Sequence, residues 1–306
     1  MITIRNLHKR FPRHEALRGV NLDVPEGKVT AFLGPNGAGK TTTLKCAMNL
    51  IERDHGELSV LGTDARKLGR EQWQRIGYVS ENRQLPEWMT VPKLMKFLRP
   101  MYGKHWDLAF EQKMTRAFEL PLNTRLSAMS RGQRMKAALL SALAYRPQLV
   151  VLDEPFSGLD ALVRDEFLSG LLELTDSEGW TVWISSHDIE EVERFADRVA
   201  IINAGKVDLQ EDVETLRERF RSVELWFEDA APVLPPGVPE TWLNAKSEGR
   251  TISFIDTKYD EHRSAAVLAH SFPGHRRLEV RPMTLREIFV ALARSYRGSA
   301  VSSHAS

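Results

Sequence analysis

Short apolar runs punctuate the first two thirds of the chain. Val29–Leu33, Ile76–Val79, Leu149–Leu152 and Trp180–Ile184 are too short for helices and carry no charge, the pattern of strands covered on both faces of a parallel sheet. Ile2 with Ile4, and Leu22 with Val24, alternate instead, which predicts two earlier strands. Val199–Ile202 running into Asn203, Ala204 and Gly205 predicts a strand that enters a hairpin turn. Thr42–Leu50 reads as a helix. Between Glu81 and Arg146 the period lengthens: Leu94, Phe97 and Leu98, then Met114, Phe118 and Leu120, then Met135, Leu139 and Leu143 recur at helical spacing. A helical lobe over about residues 82–146 is therefore expected inside an α/β domain that closes near Leu216. Beyond it the texture changes, with Val223–Phe227, the turn-rich Pro232–Pro239, Thr251–Asp256 and a helix over Thr284–Ala293. These predict a small α+β domain over 217–297, while the small polar residues 298–306 predict a frayed tail.

Composition narrows this picture without redirecting it. At 306 residues two domains are expected, and 42% hydrophobic with 27% charged residues is a globular balance with enough apolar material for a core. Lysine and arginine number 42 against 41 acidic residues, so no strong overall field draws the chain to nucleic acid or anionic lipid, and no nucleic-acid partner is expected. Cys46 is the only cysteine, which excludes an internal disulfide framework, fits a reducing compartment, and reads as a small buried apolar residue. Met1–Arg10 lacks an apolar signal core, and no stretch approaches 18 uncharged apolar residues. Any membrane role then needs a partner.

Chemistry concentrates after the third predicted strand. Gly34, Pro35, Asn36, Gly37, Ala38, Gly39, Lys40 and Thr41 match GxxxxGK[ST] between a strand and a helix, followed by Thr42. Glycines let backbone amides wrap a phosphate chain, Lys40 adds a point charge, and Thr41 offers an oxygen to Mg²⁺. Leu149–Leu152 ends in Asp153 and Glu154, where one carboxylate can hold Mg²⁺ and the other polarise an attacking water. The two motifs together define a P-loop NTPase. A glycine-rich turn and a pair of helix-capping acids are the plain alternatives, and neither explains the flanking apolar runs.

Further motifs make the chain resemble the ATP-binding subunits of ABC transporters. Met129, Ser130, Arg131, Gly132 and Gln133 are similar to that family's LSGGQ signature, with Met129 in place of leucine and Arg131 in place of the first glycine. Ser157, Gly158, Leu159 and Asp160 are similar to its D-loop, and Ile184, Ser185, Ser186 and His187 to the strand that ends in its switch histidine. Gly77, Tyr78, Val79 and Ser80 lead into Glu81, where the family has a glutamine, and Phe11 lies where it has an aromatic that stacks on adenine. Over about Met1–Leu216 the resemblance implies a P-loop NTPase core with an antiparallel β subdomain and an inserted helical subdomain.

It also implies roles. Glu154 and His187 would be catalytic; Phe11, the loop Gly34–Thr42, Glu81, Ser130, Gly132, Gln133 and Asp160 would bind ATP; Thr41, Asp153 and Glu81 would hold Mg²⁺. Two such domains pack head to tail in the family, so a second ATPase subunit is implied, together with a multi-span permease that keeps the chain at the cytoplasmic face of the membrane. Pro282–Phe289 is similar to the ending of many exporter-class ATPases, which implies export, although Leu285, Ile288, Phe289 and Leu292 also make an ordinary amphipathic stripe. A soluble ABC-type ATPase acting on ribosomes or DNA is the alternative. Against it stand a single ATPase unit, one cysteine and no heptad run.

Overall fold

The computed structural model describes residues 1–80, 84–157, 159, 164–165, 179–234 and 237–292. Its chain divides into two compact units, Met1–Gln210 and Glu211–Ser306, so the division falls ahead of Leu216. No helix among the described residues is long and apolar enough to cross a membrane.

In the first unit, β1 (Ile2–Phe11) and β2 (His14–Val24) form an antiparallel pair in which Ile2 faces Val24 and Phe11 faces His14. β3 (Val29–Leu33) is buried along its whole length and leads through the glycine loop into α1 (Lys40–Ala47). That helix begins two residues before Thr42, because Gly39 at φ 112° turns the chain directly into it, and left-handed Asn49 at φ 51° follows its end. β4 (His55–Val60) and β5 (Thr63–Asp64) complete a sheet ordered β2-β1-β4-β5.

After the short α2 (Arg70–Trp73) come β6 (Ile76–Ser80) and three helices: α3 (Val91–Tyr102), α4 (Leu108–Ala117) and α5 (Arg131–Leu143). The chain then returns as β7 (Leu149–Asp153), β8 (Thr181–Ser186), β9 (Arg198–Asn203) and β10 (Lys206–Asp212). These strands join β3 in a sheet ordered β10-β9-β3-β8-β7-β6, parallel from β9 to β6. Side chains from both sheets and α1 share one core, to which Leu7, Leu17, Val20, Phe32, Leu44, Cys46, Trp183 and Ile202 belong. Burial of this kind contributes about 2 kcal/mol per large side chain.

The three helices are tied together by polar as well as apolar contacts. Glu111 is buried, and Arg99 grips its carboxylate through Nε at 3.0 Å and Nη2 at 2.8 Å while Trp106 Nε1 donates at 2.7 Å. α5 lies against β6: Tyr145 Oη donates to the Ile76 carbonyl at 2.7 Å, and a Cβ at Gly77 would sit 2.6 Å from the Ala142 carbonyl. The lobe also exposes large apolar side chains, Trp88 (68%), Phe97, Met101 and Leu108.

The second unit contains α6 (Val213–Arg219), β11 (Arg221–Trp226), β12 (Trp242–Glu248), β13 (Thr251–Asp256), α7 (Glu261–Ser271) and β14 (Arg277–Pro282), then helical residues 285–292. Its antiparallel sheet runs β12-β13-β11-β14, with Val223, Leu225, Ile252 and Phe254 packed against Leu268 and Phe272 of the α7 region. Trp242 stacks on Phe254 with ring centroids 4.1 Å apart.

Arg99→Ala leaves the buried Glu111 carboxylate with Trp106 Nε1 as its donor. Because the guanidinium is 40% exposed, we expect a loss of about 2 kcal/mol in urea unfolding, less than for a fully buried pair. A loss below about 0.5 kcal/mol, the scale of a surface pair, contradicts this reading.

Candidate functional site

The phosphate loop is built from close backbone approaches. Gly34 leaves β3 against β9, where a Cβ would lie 2.2 Å from the Ile202 carbonyl oxygen, so no larger residue fits. The hairpin after β9 grips the loop: Gly205 N donates to the Ala38 carbonyl at 2.9 Å, and Arg18 N of β2 donates to the Gly205 carbonyl at 2.8 Å. The antiparallel sheet is thereby fixed on the loop, and His14 and Ala16 join Asn36, Gly37, Gly39, Lys40, Thr41, Thr42 and Glu154 around a pocket of about 190 Å³.

β7 carries the acids to this pocket. Asp153 accepts at Oδ1 from Thr41 Oγ1 at 3.0 Å and from Ser185 Oγ at 2.8 Å, and Ser185 Oγ accepts from the Glu154 amide at 3.0 Å. Strand register explains the contact, since Asp153 pairs with Ser185 across β7 and β8. Glu154 leaves the strand at φ 49°, a left-handed turn that costs about 1 kcal/mol in a residue other than glycine.

Lys40 is 5% exposed and donates to the Gly34 and Pro35 carbonyls at 2.6 and 3.2 Å. Its ammonium lies 3.1 Å from Glu154 Oε1, within ion-pair range yet not aligned as a hydrogen bond to that oxygen. Glu154 Oε2 lies 2.7 Å from His187 Nδ1. An ionised carboxylate only accepts, so Nδ1 carries the proton and Nε2 is left for another group.

Lys40, Thr41, Asp153, Glu154 and His187 are brought together. Pro35 serves through its carbonyl and Ala38 through the Gly205 contact. Phe11 stacks on His14 with centroids 5.5 Å apart, and His14 is the one of the two that lines the pocket. Ser130, Gly132 and Gln133 lie at the start of α5 and do not line it. Ser130 Oγ accepts from the Gln133 amide at 3.1 Å while Gln133 Oε1 accepts from the Ser130 amide at 3.0 Å, closing a capping box. Glu81, Gly158 and Asp160 lie outside the described residues. Ser185 and His14 were missed. Ser185 is one of two serines between Ile184 and His187, and its place opposite Asp153, like that of His14 opposite Phe11, depends on strand register.

The oxygens of Thr41 and Asp153 are a hard donor pair suited to Mg²⁺. Among the described residues no group of three or more His, Cys, Asp or Glu is gathered, so a cation here would take its other oxygens from phosphate or water, as Mg²⁺ commonly does.

A family profile described as ABC transporter matches residues 17–157, which includes the glycine loop, the start of α5 and the acidic strand. A sulfate/thiosulfate import ATP-binding protein of Burkholderia mallei is 37% identical over 215 residues, 68% of this chain and 61% of that protein. The chain belongs to the ABC ATPase family. The cassette is also 28% identical over 265 residues to the ABC transporter ATP-binding protein YtrB of Bacillus subtilis, covering 83% of this chain and 90% of that one. A bacterial ABC transporter cassette solved as a dimer superposes with a TM-score of 0.62 at 25% identity, over 69% of this chain and 98% of that one. Export, implied above by Pro282–Phe289, is overturned by relatives named for import. Burial of Leu285, Ile288 and Leu292 accounts for that segment as a packed helix face without reference to transport direction.

Burial, the largest influence, raises the Asp153 carboxyl above its usual range; the Ser185 and Thr41 hydroxyls oppose the rise and Glu154 adds to it. The fold then binds more protons than the unfolded chain between the two values, so this residue withdraws stability as pH climbs through the folded value. Asp153→Asn lifts that penalty and keeps an oxygen for Ser185. We expect a higher thermal midpoint for the nucleotide-free cassette at neutral pH, together with loss of Mg²⁺-dependent ATP binding. An unchanged or lower midpoint would show that ionised Asp153 stabilises the fold.

Proposed function

We propose that this cassette is the ATP-binding and hydrolysing subunit of an ABC transporter, working as a dimer that drives a separate membrane permease. The observation that carries the reading is the convergence of Lys40, the Thr41–Asp153 pair and the Glu154–His187 pair on one pocket. Lys40 and the amides of the glycine loop would hold the phosphates of ATP, with Asn36, Gly37 and Thr42 lining the pocket. Thr41 and Asp153 would hold Mg²⁺, which supplies charge neutralisation at the phosphates. Glu154 would accept a proton from the attacking water, and His187, held by Glu154 through Nδ1, would donate Nε2–H to the γ-phosphate when the ring carries its second proton.

Two copies, or this chain and a related one, would complete each site. Ser130 and Gly132 lie outside their own pocket, which supports their serving the partner's, and the dimeric cassette among the structural relatives supports the same pairing. The exposed Trp88 and Phe97 of the helical lobe offer the permease an apolar surface, and that contact would keep the subunit at the cytoplasmic face of the membrane. The import-named relatives support uptake as the direction.

Glu154→Gln keeps size and hydrogen bonding but cannot take the proton. We expect phosphate release to fall by at least about 100-fold while ATP affinity is retained, with an ATP-bound dimer accumulating on gel filtration. Undiminished release by this variant removes Glu154 from the reaction.

A further inference from the structure

Behind the turn that presents His187 lies a buried carboxylate that none of these roles uses. Glu191 is 5% exposed, and Ser186 Oγ lies within hydrogen-bond distance of its Oε2. The same hydroxyl oxygen accepts from the Asp188 amide at 3.0 Å and stands 3.0 Å from the Asp188 carbonyl. A hydroxyl has one proton to give, and a carboxylate competes for it better than an amide carbonyl. The proton therefore goes to Glu191, and a lone pair of Ser186 Oγ is left aimed at the Asp188 amide. Arg164 Nη1, 3.6 Å from Glu191 Oε1, supplies a positive charge on the far side.

His187 sits between the two residues so fixed. Its side chain is 44% exposed, so packing holds the imidazole only in part, and the path of the backbone through residues 186–188 bears directly on the reach of Nδ1 to Glu154.

We propose that Glu191 is a positioning residue for His187: through the Ser186 hydroxyl it locks the 186–188 turn and so sets the 2.7 Å contact between His187 and Glu154. This rests on the hydrolytic reading above. The alternative is that Glu191 is a buried ion-pair partner whose loss softens the whole unit. The two differ in whether the effect passes through His187.

The test is phosphate release by the full chain, alone or with its permease, for the parent, Glu191→Ala, Glu191→Gln, His187→Ala and the Glu191→Ala/His187→Ala double variant. Glu191→Ala is expected to lower kcat by about tenfold or more, as displacement of a catalytic group does. KM for ATP should stay within about threefold, because phosphate binding is not involved. Glu191→Gln, whose amide oxygen still accepts from Ser186, recovers most of the loss. In the His187→Ala background the Glu191→Ala change costs nothing further, the non-additivity of one linked unit. Where Glu191→Ala does not fold, Ser186→Ala tests the same link. The proposal is overturned if Glu191→Ala lowers kcat by the same factor with and without His187, or if its kcat equals the parent's. A parent that releases no phosphate overturns the hydrolytic reading instead, and this inference with it.

Discussion

A strand buried along its length that ends in two carboxylates makes the first unit possible only if both charges are met. Taking a carboxylate out of water costs several kcal/mol, and attraction repays it only where geometry and hydrogen bonds are good. Asp153 is met by two hydroxyls, from Thr41 and Ser185, and Glu154 by the Lys40 ammonium and the His187 ring. Those four partners come from the start of α1, the end of β8 and the turn just after it, which ties β7, β8 and α1 into one unit. Lys40 also donates to two carbonyls of its own loop, those of Gly34 and Pro35.

The parts of the fold that were legible in the sequence share a physical cause. β3, β7 and β8 are parallel strands covered on both faces, so every position but the terminal Asp153 is apolar or small and the run stands out without any periodicity. β4, β12 and β14 escaped notice because only some of their positions are buried: His55–Val60 buries two residues near its end, and Arg277–Pro282 is exposed almost throughout. α7, reading EHRSAAVLAHS, carries small residues where a Leu or Phe stripe would have announced a helix. In each case tertiary pairing, which composition does not encode, decides the structure.

The site divides along the same line. Lys40, Thr41, Asp153 and Glu154 were readable because the loop and the strand end are contiguous in sequence, and backbone geometry dictates residue types at fixed spacing. Ser185 and His14 were not, because each acts through a register that appears only once the sheets are assembled: Ser185 opposite Asp153, and His14 opposite Phe11. The aromatic expected to meet the base is thus a stacked pair whose inner member is a histidine.

The start of α5 shows how a departure from a motif can be read as electrostatics. The first amides of a helix have no intrahelical partner. Here the Ser130 and Gln133 amides are satisfied by the capping box, which leaves those of Arg131 and Gly132 at the helix tip. Gly132 keeps that tip open for lack of a side chain. Arg131 puts a cation at the positive end of the helix, an arrangement that costs a few tenths of a kcal/mol in isolation. The same charge becomes favourable as soon as an anion docks on the tip, because ligand, amides and guanidinium then have complementary signs. Arginine in place of glycine at this position therefore leaves the backbone donors in place and makes the tip more dependent on an anionic partner, as the composite site proposed above would supply.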